Sequence, residues 1–135
     1  MSKYFLIFLL IASCYASYGQ PLRESSYEQK LIKAEELTKD GDYYNAYDMY
    51  QELYQESRDV FLVRPIAWLC YKLRDYERAE SWYGRMVERP DRYSTELVDT
   101  LYYARTLKTI GRQAEAFDYY QEFIASTTND SLSGL

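Results

Sequence analysis

The side chains of this 135-residue chain that could carry chemistry are few: two cysteines, Cys14 and Cys70, an adjacent carboxylate pair, Glu35-Glu36, and 17 tyrosines. Histidine is missing, which removes imidazole acid–base catalysis and the commonest metal ligand. The sequence has no nucleophile elbow, phosphate-cradling glycine loop or calcium loop. Glu35-Glu36 and the scattered Glu/Lys pairs read as solvated helix faces rather than as a catalytic carboxylate pair. Cys70 falls at an inward position of its helix and reads as a small buried apolar residue rather than a reactive thiol. The expectation is therefore a protein that is not an enzyme, with no catalytic residues, cofactor, metal or small-molecule substrate. Basic residues number 16 against 21 acidic ones, a net charge of −5, so the basic face that a nucleic-acid partner needs is not expected. The tyrosines remain, and each combines a large apolar body with a polar tip, which suits a helix seam or a binding groove.

A weak repeat positions these residues. The segments GDYYNAYDMYQEL from Gly41, RDYERAESWYGRM from Arg74 and GRQAEAFDYYQEF from Gly111 place Ala46, Ala79 and Ala116 in one register, 33 and then 37 residues apart. A second alanine precedes each turn (Ala34, Ala67, Ala104) and a tyrosine follows it (Tyr50, Tyr83, Tyr120). Small residues belong where two helix backbones approach closely, and a ring fills the adjoining hole. Apolar spacing and end signals predict helices near 26–39, 43–56, 60–73, 76–88, 95–109 and 112–126. Ser94 is the expected N-cap of the fifth, residues 89–94 a surface loop, and Pro65 the expected start or kink of the third. About 115 residues follow the first twenty, enough for one domain that needs no disulfide staple.

The alanine and tyrosine registers, with the Gly41-Asp42-Tyr43 turn and its degraded copy Arg74-Asp75-Tyr76, resemble the tetratricopeptide repeat family over residues 27 to 125. The family's early Trp is replaced by Lys30, Val63 and Thr100, and its late Pro is out of register. The resemblance implies an all-α, right-handed α-solenoid of three helix pairs, about 27–58, 60–90 and 95–126, followed by a flexible tail at 127–135. It also implies a concave groove lined by the first helix of each pair. By register the first pair brings Leu31, Glu35 and Thr38, the second Arg64, Trp68, Tyr71 and Lys72, and the third Leu101, Arg105 and Lys108. The chaperone-type carboxylate clamp is not reproduced, because Leu31, Glu35, Pro65, Val98 and Tyr102 occupy its positions. A mix of arginine, lysine and aromatic residues suits an extended protein segment bearing carboxylates. No capping helix follows the last pair, so Phe117, Tyr120 and Ile124 are expected to lie exposed for another chain, a further domain or a second copy to cover.

Residues 1–19 stand apart, with Lys3, an apolar stretch from Tyr4 to Ala12 too short to span a bilayer, and a small-residue ending at Ser17-Tyr18-Gly19. This reads as a signal peptide, with residues 20–26 as a linker, and the expected location is exported, periplasmic or outer-membrane-associated. Ile11-Ala12-Ser13-Cys14 also resembles a bacterial lipobox, which would make Cys14 a lipid anchor and the one expected membrane contact. A signal followed at once by these repeats resembles the N-terminal repeat domain of Gram-negative envelope proteins that often continue into a β-propeller and an OmpA-like domain. The function expected is a non-catalytic scaffold of the cell envelope with a protein partner. The alternatives are a structural spacer or oligomerising subunit docking through its last helix, or the N-terminal part of a larger protein.

Overall fold

Three helix ends in this chain close in the same way. The computed structural model describes residues 26–133, with helices α1 (Ser26–Asp40), α2 (Tyr43–Ser57), α3 (Val63–Lys72), α4 (Tyr76–Glu88), α5 (Pro90–Tyr93), α6 (Leu97–Thr109) and α7 (Gln113–Ser133). After α1, α3 and α6 the backbone N–H groups of Asp42, Asp75 and Arg112 donate to the carbonyls of Leu37, Cys70 and Leu107, each at 2.9 Å. The residue before each donor is left-handed: Gly41 at φ 81°, Arg74 at φ 62° and Gly111 at φ 87°. Such a bond reaching back five residues, beside a left-handed residue, satisfies carbonyls that a helix end leaves open. No neighbouring atom would meet a Cβ at Gly41 or Gly111, so the dihedral angle alone favours glycine there.

Arg74 is the exposed non-glycine member of this set. A left-handed residue with a Cβ costs roughly 1 kcal/mol more than glycine. Arg74→Gly is therefore expected to raise the unfolding free energy by about 1 kcal/mol, measured by urea denaturation with an unchanged m value. No gain would mean that the arginine side chain contributes as much as its backbone costs.

The connections after α1, α3 and α6 are two or three residues long, so each turns the chain back into a helix hairpin. Beyond the hairpins, α2 packs on α3, and α4 on α6, so contacts run between successive helices. The described residues include no strand. Asp42 and Asp75 cap α2 and α4 by accepting from the backbone N–H groups of Asn45 (3.4 Å) and Arg78 (3.1 Å). At the third turn Arg112 replaces the aspartate and reaches Glu80 of α4 at 2.6 Å.

All six register alanines are buried: Ala34, Ala46, Ala67, Ala79 and Ala104 at 0% exposure and Ala116 at 2%. Tyr50 and Tyr83 fill the core at 4% and 1%. Tyr120 is only half-buried, because Tyr50 and Tyr83 are covered by a following helix and no described helix follows α7. Cys70 is a buried free thiol, as its inward position implied.

Several local expectations are refined or corrected. Of the two outcomes expected at Pro65 the helix start is the one observed: α3 begins at Val63 and places the proline in the first turn, where no backbone hydrogen bond is lost and no kink is needed. The turn of 3₁₀ helix at Val60–Leu62 leads into α3, with Asp59 accepting from the N–H of Phe61 at 3.0 Å. Ser94 is not an N-cap but the left-handed end of α5, at φ 47°; Glu96 opens α6 instead. The expected loop at 89–94 contains α5, which Pro90 starts from the position a proline favours. The last helix continues past 126 to Ser133, so the expected tail is helical over most of its length. The expected signal segment with Cys14 and linker residues 20–25 lie outside the described residues. Among the described residues no helix is long and apolar enough to cross a membrane.

Candidate partner-binding groove

A cavity of about 450 Å³ opens between α1, α3 and α6, lined by Thr38, Arg64, Pro65, Trp68, Tyr83, Val98, Asp99 and Tyr102. Only Tyr83 comes from a second helix of a hairpin, and it forms part of the buried floor. Thr38 donates its hydroxyl hydrogen to the carbonyl of Ala34 at 2.8 Å. Val98, 43% exposed, is the apolar lining residue most open to solvent.

Arg64 lines this cavity, and all three of its guanidinium nitrogens are engaged. Its Nε donates to both oxygens of Asp99 at 3.0 Å, and its Nη2 donates to Asp99 at 2.9 Å and to the Ser94 carbonyl at 2.8 Å. Its Nη1 pairs with Glu96 at 2.7 Å. Asp99, 2% exposed, also accepts from the Glu96 backbone N–H at 2.8 Å. Hydrogen bonding to Asp99 is the main reason the guanidinium is held further toward its charged form. The expectation that Arg64 offers a free fork to a partner is therefore corrected: it ties α3 to α6 across the groove.

Trp68 lines the cavity and packs edge-on against Tyr43 of α2, with ring centroids 5.5 Å apart. Lys72 lies one turn further along α3, with its Nζ 5.2 Å from the Tyr43 ring and 5.3 Å from the Trp68 ring. Tyr71 meets Tyr102 at 5.0 Å and Tyr76 at 5.7 Å, so it supports the groove wall from behind. Arg105 is exposed, with its guanidinium 5.6 Å from the Tyr102 ring. Leu101 and Lys108 are not among the lining residues; Leu101 is half-buried and Lys108 is exposed in the last turn of α6. From the first hairpin Thr38 reaches the cavity, whereas Leu31 packs against the core and Glu35 is exposed.

Pro65, Val98 and Tyr102, which stand at clamp positions of the resembled family, also line the cavity, and Tyr83 and Asp99 join them without having been expected there. On α6 the sequence reading followed the stripe Leu101, Arg105, Lys108, one step from the observed Val98, Tyr102 pair. The i, i+4 spacing of Val98 and Tyr102 was the available signal. At the far end of the chain, Phe117 and Ile124 of α7 are each 60% exposed and Tyr120 is half-buried between them. No family model matches this sequence, and no curated protein is found similar to it.

Proposed function

We propose that this chain is a non-catalytic, tetratricopeptide-like interaction scaffold, a right-handed α-solenoid of three helix pairs exported to the bacterial periplasm or outer membrane. It holds a protein segment in the groove between α1, α3 and α6. The observation that carries this reading is the composition of that groove. Its walls are ring and aliphatic surfaces, and its rim carries Lys72 and Arg105, each held over aromatic rings. Among the described residues neither cation has a carboxylate at ion-pair distance. An extended segment with an apolar side chain flanked by Asp or Glu satisfies both features: the apolar group enters between Trp68 and Val98, and the carboxylates meet the rim.

Peptide display against the purified protein tests this. Enriched peptides are expected to place an aromatic or aliphatic residue beside acidic ones, with affinity at least about tenfold weaker for Val98→Glu/Arg105→Glu. Both positions are exposed, so the variant is expected to melt as the parent does. Peptides without such a pattern, or bound equally by the variant, would discard the groove. The exposed Phe117 and Ile124 favour a second reading, a structural spacer or oligomer docking through α7. In that case Phe117→Asp abolishes association and the groove variant does not.

A further inference from the structure

A second surface, which shares no lining residue with the groove, lies where the end of α4, the short helix α5 and the 3₁₀ turn Val60–Leu62 meet. Arg85, Arg89 and Arg92 line one open cavity of about 310 Å³ with Glu88 and Tyr93. Arg85 lies over Trp82 at 4.6 Å, Arg92 over Tyr93 at 5.6 Å, and Trp82 meets Tyr54 edge-on at 5.2 Å. Arg58 also lies over Tyr54, 5.7 Å from the ring centroid. This makes one continuous ridge of alternating arginines and half-buried rings. Among the described residues none of these four arginines has a carboxylate within ion-pair distance. Glu88 and Asp91 also lie on this face, and Asp59 is engaged by the hydroxyl of Tyr27 at 2.7 Å. Phe61, in the turn that α5 packs against, is 74% exposed.

We propose that this ridge docks the protein on an anionic lipid bilayer, with Phe61 entering the headgroup–acyl boundary. Three of the four arginines line the open cavity together with Glu88, whose carboxylate opposes a small anion there, and Arg58 stands beyond it at the end of α2, so the charge is spread wider than one small anion can meet. A laterally mobile layer of phosphate headgroups meets charges arranged in that way without shape complementarity. A free phosphate would leave Phe61 in water, whereas a bilayer accepts the apolar ring and the tryptophan and tyrosine rings at its interface. The surface is independent of Cys14, and with Arg58, Arg85, Arg89 and Arg92 it is a concentration of unpaired positive charge on a chain of net charge −5.

The test is sedimentation of residues 20–135, which contain every described helix, with phosphatidylcholine vesicles with and without phosphatidylglycerol. Binding is expected only with the anionic lipid, to weaken with salt, and to fall at least about tenfold in Arg89→Glu/Arg92→Glu. Phe61→Ser is expected to weaken it about tenfold as well. All three positions are exposed, and matching thermal melts check that the fold is kept. Binding absent, equal on neutral vesicles, or unchanged in the arginine variant overturns the proposal. Loss in the arginine variant with no effect of Phe61→Ser overturns entry of Phe61 into the bilayer, and competition of vesicle binding by millimolar inorganic phosphate at constant ionic strength overturns the bilayer as occupant in favour of a soluble anion. The groove variant Val98→Glu/Arg105→Glu is expected to sediment like the parent, which separates this surface from the groove.

Discussion

Arg64→Leu is expected to destabilise the protein by about 3–5 kcal/mol, whereas Asp99→Ala is expected to cost only about 1–3. The asymmetry follows from burial. Asp99 is 3% exposed at its side chain and Arg64 is 36% exposed. Removing the arginine strands a carboxylate in the interior with the Glu96 N–H as its remaining donor, and an ionised group left unpaired there carries its full desolvation cost. Removing the aspartate lets Arg64 swing toward water and pair with Glu96 alone. The double variant Arg64→Leu/Asp99→Leu should recover much of the loss, since no charge is then stranded. Urea denaturation of the two single variants and the double variant supplies the cycle. Equal costs for the single variants, or a double variant as unstable as Arg64→Leu, would show that the pair is a surface contact of little weight.

Alkali is expected to unfold the protein steeply, while neutral and mildly basic pH leave it almost untouched. With no histidine in the sequence, no side chain has its ordinary titration near neutrality. Above that range the position reverses. Burial pushes the Cys70 thiol up from 9.0 to about 11, with the Asp75 charge adding to it. Burial likewise raises Tyr103 from 10.0 to about 12, with Glu80 contributing, and Tyr27 to about 12, where hydrogen bonding to Asp59 adds. Tyr83 is raised further still, by burial first and then by the charge of Asp99. In each case the unfolded chain releases its proton at lower pH than the folded one, so rising pH favours unfolding. Stability is expected to hold to about pH 9 and to fall first with Cys70. Once the tyrosines join above pH 10, each fully buried group adds up to about 1.4 kcal/mol per pH unit. Cys70→Ala should move the onset up by about one pH unit. A melting temperature that stays level from pH 9 to 12, or an onset unmoved in that variant, would contradict the burial of these groups.

The hairpin architecture was legible because it rests on volume. An alanine at each close approach and a ring beside it are local requirements, and all six alanines are buried where the register put them. Helix ends were harder to read where two chemistries compete for one residue. Ser94 has a capping side chain, but the chain there closes α5 and needs a left-handed residue, leaving Glu96 to start the next helix. The polar run after 126 looked frayed because serine and threonine favour caps, yet Thr127 and Thr128 return their hydroxyls to carbonyls of the preceding turn. Trp68 and Thr38 line the cavity at positions that the family resemblance, carried over by register, implied. Arg64 was placed correctly but its work was not, since its partner Asp99 is 35 residues away. An ion pair between distant segments leaves no periodic trace.

The half-buried Tyr120 bears on how the molecule comes apart. Among the described residues α2, α3, α4 and α6 each pack against helices on two sides, whereas α7 rests principally on α6. A helix held through one interface opens at lower free energy than helices held through two. Amide protons of α7 then exchange through local fraying while those of α3 and α4 wait for global opening. A single unfolding free energy describes the middle of the described helices better than their end.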